Sequence, residues 1–412
     1  MAMAMAMAKG KRRCVCIETL SGWVAMHVVK RSTKMVLNAL NHLMRSRSAP
    51  VLLVASDPAS RKVNEIVSRL AAYAPGAQHR VVSRASLLDL LRSFLVLEVD
   101  VGAVAGRYRH SMSNVCRVDY ERNFVDGWEL CRLAQRWDGL PSTDRRREAA
   151  ARLRSAVTAV QASGKSRTYV FGTGSSLARA LESDFSDGHV IVCNTIVRDR
   201  DLWHHLRPDF LVAGDAIYHF GNTAHARAFR ADARNRLLES RGKTYFVYPE
   251  LFDAVVRREF ADLGDLLIPV PVGSHTSIHV DLTERFESPG LGNVLNLLLL
   301  PLGCTLSRSI WLWGFDGRAP TDKLFWANSN RHSYPELMAG LQEAHPAFFS
   351  ALVPPGRENQ YVTDVHGDLL DQRLAAAERL GYSFHMMHFS WTETLNKRAA
   401  TNRAEERGDS DG

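Results

Sequence analysis

The stretch Thr168–Leu177, with the sequence TYVFGTGSSL, joins a β-rich run to a glycine turn and the start of a helix. The run ends at Gly172, and helix-forming residues continue to Glu182. Glycine suits such a turn because it adopts positive φ readily and lets the backbone approach a ligand closely. The backbone N–H groups of the turn could bind an anion such as a phosphate. A dinucleotide fingerprint needs a third glycine where Leu177 stands, so a plain strand-to-helix turn remains the alternative.

Strand and helix patterns alternate from this turn to the end of the chain. The predicted strands are Thr168–Phe171, Val190–Cys193, Phe210–Ala213, Thr244–Tyr248, Leu266–Val270, Ile310–Trp313 and Ser383–His388. The predicted helices are Ser176–Glu182, Thr223–Leu238, Val294–Leu306, Pro335–Phe349 and Asp364–Leu380. Such alternation indicates βαβ units. We therefore expect an α/β, Rossmann-like fold, with a mostly parallel sheet flanked by helices and an N-terminal α/β or helical appendage.

The length of 412 residues predicts more than one structural unit. We expect a disordered N-terminus at 1–15 and an N-terminal α/β and helical region of unknown role at 16–163. The Rossmann-like domain would cover 164–396, and a disordered polar tail would cover 397–412. Within the N-terminal region, the pattern predicts a helix at Ala85–Leu97 and a strand at Val99–Val104.

Charge, cysteines and hydropathy narrow the classes of function. The formal net charge of +8 favours anionic partners, including nucleotides, glycans and an anionic membrane surface. The arginines are scattered and not interleaved with aromatic residues, so we predict no nucleic-acid partner. The six cysteines form no CxxC pair, which is typical of free thiols in a reducing cytoplasm. The longest apolar run, Val294–Cys304, contains Asn296 and Pro301 and is shorter than the roughly 20 residues of a membrane-spanning helix.

Small and hydrogen-bonding residues follow four of the predicted strands. They are the Gly172–Ser176 turn, Asn194, Asp215 and the turn Gly314–Gly317, which contains Asp316. In a parallel sheet, ligands bind at the carboxyl ends of the strands, so these residues would share one edge. Each is typical of a turn or a helix cap when taken alone. Together they predict a site for a nucleotide that carries hydroxyl-rich sugars.

Five blocks of sequence resemble a known family. The blocks FGTGSSL, VCNT, AGDAIYHF, GLGNVLNLLLL and IWLWGFDG are similar to bacterial sialyltransferases that use CMP-sialic acid, and to related proteins found with surface-polysaccharide genes. The resemblance covers Thr168 to Asn396. It implies a cytoplasmic glycosyltransferase that moves an acidic sugar from a CMP-linked donor to a glycan or glycolipid acceptor. The positive charge is compatible with peripheral association with the inner face of the membrane.

Two alternatives remain open beside this reading. The opening motif is also similar, more distantly, to the archaeal-type hydroxymethylpterin diphosphokinase group, which implies an ATP-using transferase on the same fold. The second alternative is a non-catalytic protein that keeps the fold and binds a nucleotide or a glycan.

The resemblance implies which residues bind the donor and which the acceptor or the leaving phosphate. The donor-binding candidates are Gly172, Thr173, Gly174, Ser175, Ser176, Asn194, Asp215, Gly292, Asn293 and Asp316. The turn would cradle the phosphates, with Thr173 where the family commonly has Asn and Asp215 where it has another Asn. The family places tyrosines shortly after the Gly-x-Asp turn to assist the leaving phosphate. This sequence instead offers Arg318, Lys323, Tyr334 and Tyr361 as phosphate or acceptor candidates.

His366 aligns with the histidine that serves the family as general base. A histidine suits this role because its usual pKa of about 6.5 leaves much of it neutral at pH 7. Asp364 and Asp368 flank it, and either carboxylate could orient the imidazole. Asp199 and Asp201 match the residue types and spacing of a metal-binding Asp-x-Asp motif. Their position at a predicted helix start instead indicates a helix cap. We predict no metal and no cofactor besides the CMP-linked donor as co-substrate.

Overall fold

The computed structural model describes residues 32–44, 50–100, 102–104, 108, 111–118, 128–139, 141–317, 319, 331–351 and 368–399. The chain divides into two compact units. The first unit is Met1–Ala71 with Pro75–Asp119, and the second is Ala72–Ala74 with Tyr120–Gly412. Apart from Ala72–Ala74, the division falls at 119–120, and the long helix at 143–161 belongs to the second unit. The sequence pattern grouped this helix with the N-terminal region.

The first unit is a small α/β fold around a four-stranded parallel sheet. Its elements are α1 at 32–44, β1 Val51–Val54, α2 Arg61–Tyr73, β2 His79–Val82, α3 Leu87–Arg92, β3 Leu95–Glu98 and β4 Val115–Arg117. The strand order is β2-β1-β3-β4, and every neighbouring pair is parallel. Two predictions were wrong here. The predicted helix at Ala85–Leu97 runs into β3, and the described residues of the predicted strand at Val99–Val104, which are 99, 100 and 102–104, form no strand.

The early end of α3 explains this difference. Ser93 adopts an extended conformation after the helix, and its hydroxyl and N–H groups both donate to the carbonyl of Asp89. The chain can then enter β3 within two residues. The apolar pattern at Leu95–Leu97 continues the helical one, so the period of the sequence does not reveal the cap.

The second unit confirms the predicted Rossmann-like α/β fold. All seven predicted strands are present: β5 Arg167–Phe171, β6 Gly188–Cys193, β7 Phe210–Val212, β8 Tyr245–Pro249, β9 Leu267–Val270, β10 Ser309–Trp313 and β11 Ser383–Met386. They form one sheet in the order β11-β10-β5-β6-β7-β8-β9, and each pair of neighbours is parallel. The strands are almost wholly buried, as expected for a parallel sheet covered on both faces.

Helices connect and flank these strands. The α-helices are α4 Leu130–Trp137, α5 Thr143–Gln161, α6 Arg200–Leu206, α7 Ala224–Glu239, α8 Asp253–Glu259, α9 Leu300–Leu306, α10 Met338–Ala344, α11 Pro346–Ala351, α12 Asp368–Glu378 and α13 Glu393–Asn396. The 3₁₀ segments are Ser175–Glu182, Asn194–Arg198, Glu250–Phe252, Ala261–Leu266 and Pro335–Leu337, and the π-helical segments are Ala216–Phe220 and Leu295–Leu299. The helix predicted at Pro335–Phe349 is thus in three pieces. Pro346 accounts for the break after Ala344, because the residue before a proline is disfavoured in the helical conformation.

The core lies between the sheet and two helical segments. Leu153 and Val157 of α5 join the same buried cluster as Leu298 of the π-helical segment and Val170 of β5. The long apolar run of the sequence is therefore explained by burial against the sheet. Among the described residues, no helix is both long enough and apolar enough to span a membrane.

The order in which the chain adds strands to the sheet changes direction between β5 and β10. From β5 the chain proceeds through β6, β7 and β8 to β9 on one side, and it then crosses back to β10 on the other side. β10 pairs with β5 from Ser309 opposite Arg167 to Trp313 opposite Phe171. The connections that follow β5 and β10 therefore run in opposite directions. Open α/β sheets form a ligand-binding crevice at such a switch point, outside the carboxyl ends of the strands.

Candidate ligand site at the switch point

The turns that follow β5 and β10 interlock through their backbones. The N–H of Gly172 donates to the carbonyl of Trp313 at 2.7 Å, and the N–H of Gly174 donates to the carbonyl of Gly314 at 2.8 Å. Gly314 has a φ of +76°, which glycine adopts without strain. A β-carbon on Gly172 would lie 2.6 Å from the carbonyl oxygen of Gly314. Side chains at these positions would force the two turns apart.

The carboxylate of Asp316 bonds to the turn that was predicted to bind phosphate. Its Oδ1 atom accepts the backbone N–H of Ser176 at 3.0 Å and the hydroxyl of Ser175 at 3.3 Å. Its Oδ2 atom lies 2.9 Å from the Ser176 hydroxyl. The structure thus brings Asp316 and the glycine turn together, as expected. It also places a protein carboxylate on an N–H group that a phosphate would use, so a phosphate there must displace Asp316.

His388, just after β11, completes this cluster. Its Nε2 atom lies 2.7 Å from the Ser176 hydroxyl oxygen and accepts the N–H of Gly314 at 2.9 Å. Its Nδ1 atom is 2.7 Å from the carbonyl oxygen of Phe389. A carbonyl oxygen only accepts hydrogen bonds, so this contact assigns the proton to Nδ1 and leaves Nε2 as the acceptor. The Ser176 hydroxyl therefore has two acceptors for its single proton, His388 and Asp316.

Sequence reasoning did not select His388 as a site residue. The predicted last strand, Ser383–His388, ended on it, but only the residues after four other strands were considered. Applying the same strand-end rule to the last strand would have found it.

Asn194 follows β6 with a strained backbone and an unpaired side-chain oxygen. Its φ is +52°, a left-handed conformation that Asn tolerates better than most residues. Its Oδ1 atom is buried and has no hydrogen-bond partner among the described residues. An unpaired buried acceptor costs about 1–3 kcal/mol. Such a group is suited to accept a hydrogen bond from a ligand, and the predicted donor contact of Asn194 stays a prediction.

Asp215 caps the π-helical turn Ala216–Phe220. Its Oδ1 atom accepts the N–H groups of Ile217 and Tyr218 at 2.8 and 2.9 Å. Burial raises the pKa of this carboxyl, whereas the two N–H groups lower it. The cap gives Asp215 a structural role at the carboxyl end of β7, and its predicted contact with the donor stays a prediction.

Gly292 and Asn293 precede the helical run 294–306. The Oδ1 atom of Asn293 accepts the N–H of Asn296 at 2.8 Å, which caps the start of the helix. A β-carbon on Gly214, next to Asp215, would lie 3.0 Å from Leu297. The start of this helix therefore lies beside the end of β7. Among the described residues, no heavy atom beyond Gly292 and its two chain neighbours lies within 4 Å of the position that a β-carbon on Gly292 would take.

The remaining predicted residues are not part of this cluster. Tyr334 is buried, and its hydroxyl donates to Asp232 Oδ2 at 2.6 Å. Burial and the neighbouring carboxylate raise its pKa well above the usual range. Arg318, Lys323, Tyr361, Asp364 and His366 lie outside the described residues, as does the side chain of Asp368, the first residue of α12. The roles predicted for them stay predictions.

Asp199 has the helix-cap role that its sequence position indicated. Its Oδ1 atom accepts the N–H of Leu202 at 3.1 Å, and its carboxylate pairs with Arg331 at 2.6 Å. Among the described residues, no group of three or more His, Cys, Asp or Glu side chains could hold a metal ion. The predicted absence of a required metal stays a prediction.

Comparisons with known proteins add no relative. No family model matches the chain, and neither does any curated protein or solved structure. A function must therefore be inferred from the geometry of the crevice and from the sequence blocks that line it.

Proposed function

We propose that this chain is a glycosyltransferase that moves an acidic sugar from a CMP-linked donor to a hydroxyl of a glycan or glycolipid in surface polysaccharide biosynthesis. The observation that carries the proposal is the pair of interlocked turns, Gly172–Ser176 and Gly314–Gly317, at the switch point of the parallel sheet. Two of the blocks that resemble CMP-sialic-acid-using sialyltransferases form these turns, FGTGSSL and IWLWGFDG. The two blocks lie far apart in the sequence, and their hydrogen-bonded contact at the ligand-binding edge supports the proposal.

The polar groups of the crevice suit the hydroxyl groups of a nucleotide sugar. Carboxylates at the switch point of such sheets accept hydrogen bonds from ribose hydroxyls. The carboxylate of Asp316 already lies 3.3 Å and 2.9 Å from two serine hydroxyls, which ribose or sugar hydroxyls could replace at similar distances. Asn194 offers a further acceptor that has no partner. We assign Asp316 to the hydroxyl groups of the donor, because an anion is repelled by its charge.

The chemistry requires a base for the acceptor hydroxyl and stabilisation of a positively charged sugar in the transition state. His366 is the proposed base, with Asp364 or Asp368 to orient it. A carboxylate near the donor would stabilise positive charge that develops on the sugar, and Asp316 is the candidate within the described residues. The net charge of +8 supports an anionic donor and a peripheral position at the inner face of the membrane.

A ligand screen tests this function. Isothermal calorimetry with CMP, CTP, UDP, GDP and ATP plus Mg²⁺ would be followed by a donor-hydrolysis assay with CMP-linked acidic sugars. We expect CMP and CTP to bind and the CMP-linked donor to be turned over. Binding of ATP plus Mg²⁺ without CMP would support the diphosphokinase alternative. Binding of CMP without turnover of any donor would support a non-catalytic binding protein, and binding of none of the five nucleotides would contradict the proposal.

A further inference from the structure

A buried arginine without a carboxylate partner lies on α12. Arg373 is 2% exposed, and within the described part of the chain it forms no ion pair. Its Nη1 donates to the carbonyl of Thr276 at 2.5 Å, and its Nη2 donates to the carbonyl of Asn296 at 3.0 Å. Its Nε is buried and has no hydrogen-bond partner among the residues described. A guanidinium has five N–H donors, so most of its donor capacity is unused.

The side chain of Asn296 is unpaired in the same region. Asn296 is 1% exposed, and neither its Oδ1 nor its Nδ2 has a hydrogen-bond partner in the part of the chain that the structure describes. It belongs to the π-helical segment Leu295–Leu299, and π-helical turns inside helices are frequent at functional sites. Its carbonyl already binds the guanidinium, so both unsatisfied side chains are held at one helix start.

The positive charge of Arg373 is costly where it lies. Burial lowers the pKa of Arg373 to about 10. The nearby thiol of Cys304 offers little compensation, because burial raises its pKa and keeps it neutral. A buried charge is normally paired or hydrogen-bonded throughout. An anionic ligand would supply both the missing charge and the missing acceptors.

We propose that Arg373 and Asn296 bind an oxyanion of the substrate, either the phosphate of the CMP moiety or the carboxylate of the acidic sugar. This inference rests on the proposed function and identifies the anion-binding part of the same site. Guanidinium groups bind carboxylates and phosphates through paired N–H donors, and the amide of Asn296 adds a further donor.

The position of the pair agrees with this role. Asn296 follows the cap residue Asn293 on the helix that packs beside Gly214, so it lies at the carboxyl edge of the sheet. Asp316 already occupies the Ser176 N–H of the glycine turn, which leaves the anion to be bound elsewhere. Thr276, whose carbonyl covers Nη1, is itself exposed. Release of one hydrogen bond in this loop would open the guanidinium to a ligand.

Calorimetry and thermal melts on Arg373→Met test the site. The matched control is Arg379→Met, an exposed arginine just past the end of α12. The probes are inorganic phosphate, CMP, a free acidic monosaccharide and the neutral nucleoside cytidine. We expect Arg373→Met to weaken binding of CMP, or of the acidic sugar, by at least about tenfold while cytidine binding is unchanged, as loss of a charged hydrogen bond implies. Arg379→Met should bind every probe as the unmodified chain does.

A second pair of variants keeps the test valid if Arg373→Met does not fold. Arg373→Lys keeps the charge but loses the paired N–H donors, so it should weaken oxyanion binding less than Arg373→Met does. Asn296→Leu should weaken oxyanion binding without removing the charge. Equal affinities for CMP, acidic sugar and phosphate in all variants would overturn the inference, even if donor turnover established the function. Conversely, phosphate binding that depends on Arg373 in a protein that turns over no donor would support the site and contradict the proposed function. Loss confined to CMP would assign the site to the phosphate, and loss confined to the free sugar would assign it to the carboxylate.

Discussion

The carboxylate of Asp316 lies in the space that a β-carbon on Gly174 would occupy. Gly174 has a φ of −68°, which any residue can adopt. Glycine is therefore required at this position for space and not for backbone freedom. The two residues are far apart in the sequence, and the pairing of β5 with β10 brings them together. The FGTGSSL motif is thus a site of close contact between two turns, as well as a turn that could face a ligand.

Gly174→Ala should destabilise the second unit. The added methyl group would collide with Asp316 Oδ2 and lie 2.7 Å from the carbonyl oxygen of Gly314, which is backbone and cannot rotate away. Overpacking of this kind costs about 1–3 kcal/mol. Urea denaturation monitored by tryptophan fluorescence measures the change in the free energy of unfolding. Gly292→Ala is the matched control and should change stability by less than about 0.5 kcal/mol, since its methyl group would meet no neighbour within 4 Å.

The double variant Gly174→Ala with Asp316→Ala separates the two collisions. Removal of the carboxylate relieves only the contact with Asp316, so the two substitutions should be non-additive because the residues touch. Fully additive changes would mean that the turns separate in solution and would contradict the contact.

Most of the second unit could be predicted from the sequence because its strands are buried on both faces. Val190–Cys193 and Phe210–Ala213 are continuous apolar runs that end at Asn194 and at Gly214, which is the pattern of a central parallel strand bounded by turn residues. The first unit was harder to predict. His79–Val82 is exposed or half-buried and has no apolar run, and β3 follows α3 with no break in the apolar pattern.

The candidate site could be predicted in parts but not as a set of contacts. Reading the strand ends identified the glycine turn and Asp316, but it could not show that they bond to each other. That contact depends on the order of strands in the sheet, which one sequence does not specify. The Nε of Arg373 and the side-chain amide of Asn296 lack hydrogen-bond partners among the described residues because of how the folded chain is arranged around them. No local sequence pattern predicts this. Asn296 had one visible signal, as an amide inside the longest apolar run.

Asp316→Asn should weaken donor binding without unfolding the protein. The amide keeps the size of the side chain but loses the charge and one acceptor, and a hydrogen bond to a charged group contributes about 1.5–3 kcal/mol. We expect the Kd for CMP-linked donor to rise by about tenfold or more in calorimetry. Asp262→Asn is the control, because Asp262 forms a surface ion pair near the amino end of β9, away from the ligand-binding edge. Unchanged donor affinity in Asp316→Asn would remove Asp316 from the donor site.

His332 should make the protein less stable as the pH falls from about 6.5 to about 4. It is 1% exposed, and neither ring nitrogen has a hydrogen-bond partner within the described ranges. Burial lowers its pKa to about 4, although the charge of Asp199 opposes the shift. In the unfolded chain a histidine titrates near 6.5, so below that pH the unfolded state binds a proton that the folded state does not. The free energy of unfolding should therefore be lower at pH 4 than at pH 7 by on the order of 3 kcal/mol.

Thermal and urea unfolding between pH 4 and 7 measure how the free energy of unfolding changes with pH, and this slope checks the prediction. His332→Phe should lose this part of the pH dependence, and it should not destabilise the protein at pH 7 because no hydrogen bond is lost. His79→Phe replaces an exposed histidine and should keep the slope. The same slope in His332→Phe and in the unmodified chain would show that other groups cause it.

His366→Ala and His388→Ala should affect different steps. His366 is the proposed base, so its loss should abolish sugar transfer while the Kd for the CMP-linked donor stays the same. His388 instead accepts the N–H of Gly314 and contacts the Ser176 hydroxyl, so it positions both turns of the crevice. Its loss should raise the Kd for the donor and leave a measurable rate at saturating donor. Turnover and calorimetry on the same preparations distinguish the two effects. Full transfer activity in His366→Ala, together with loss of transfer but normal donor binding in His388→Ala, would identify His388 as the base and refute the assignment of His366.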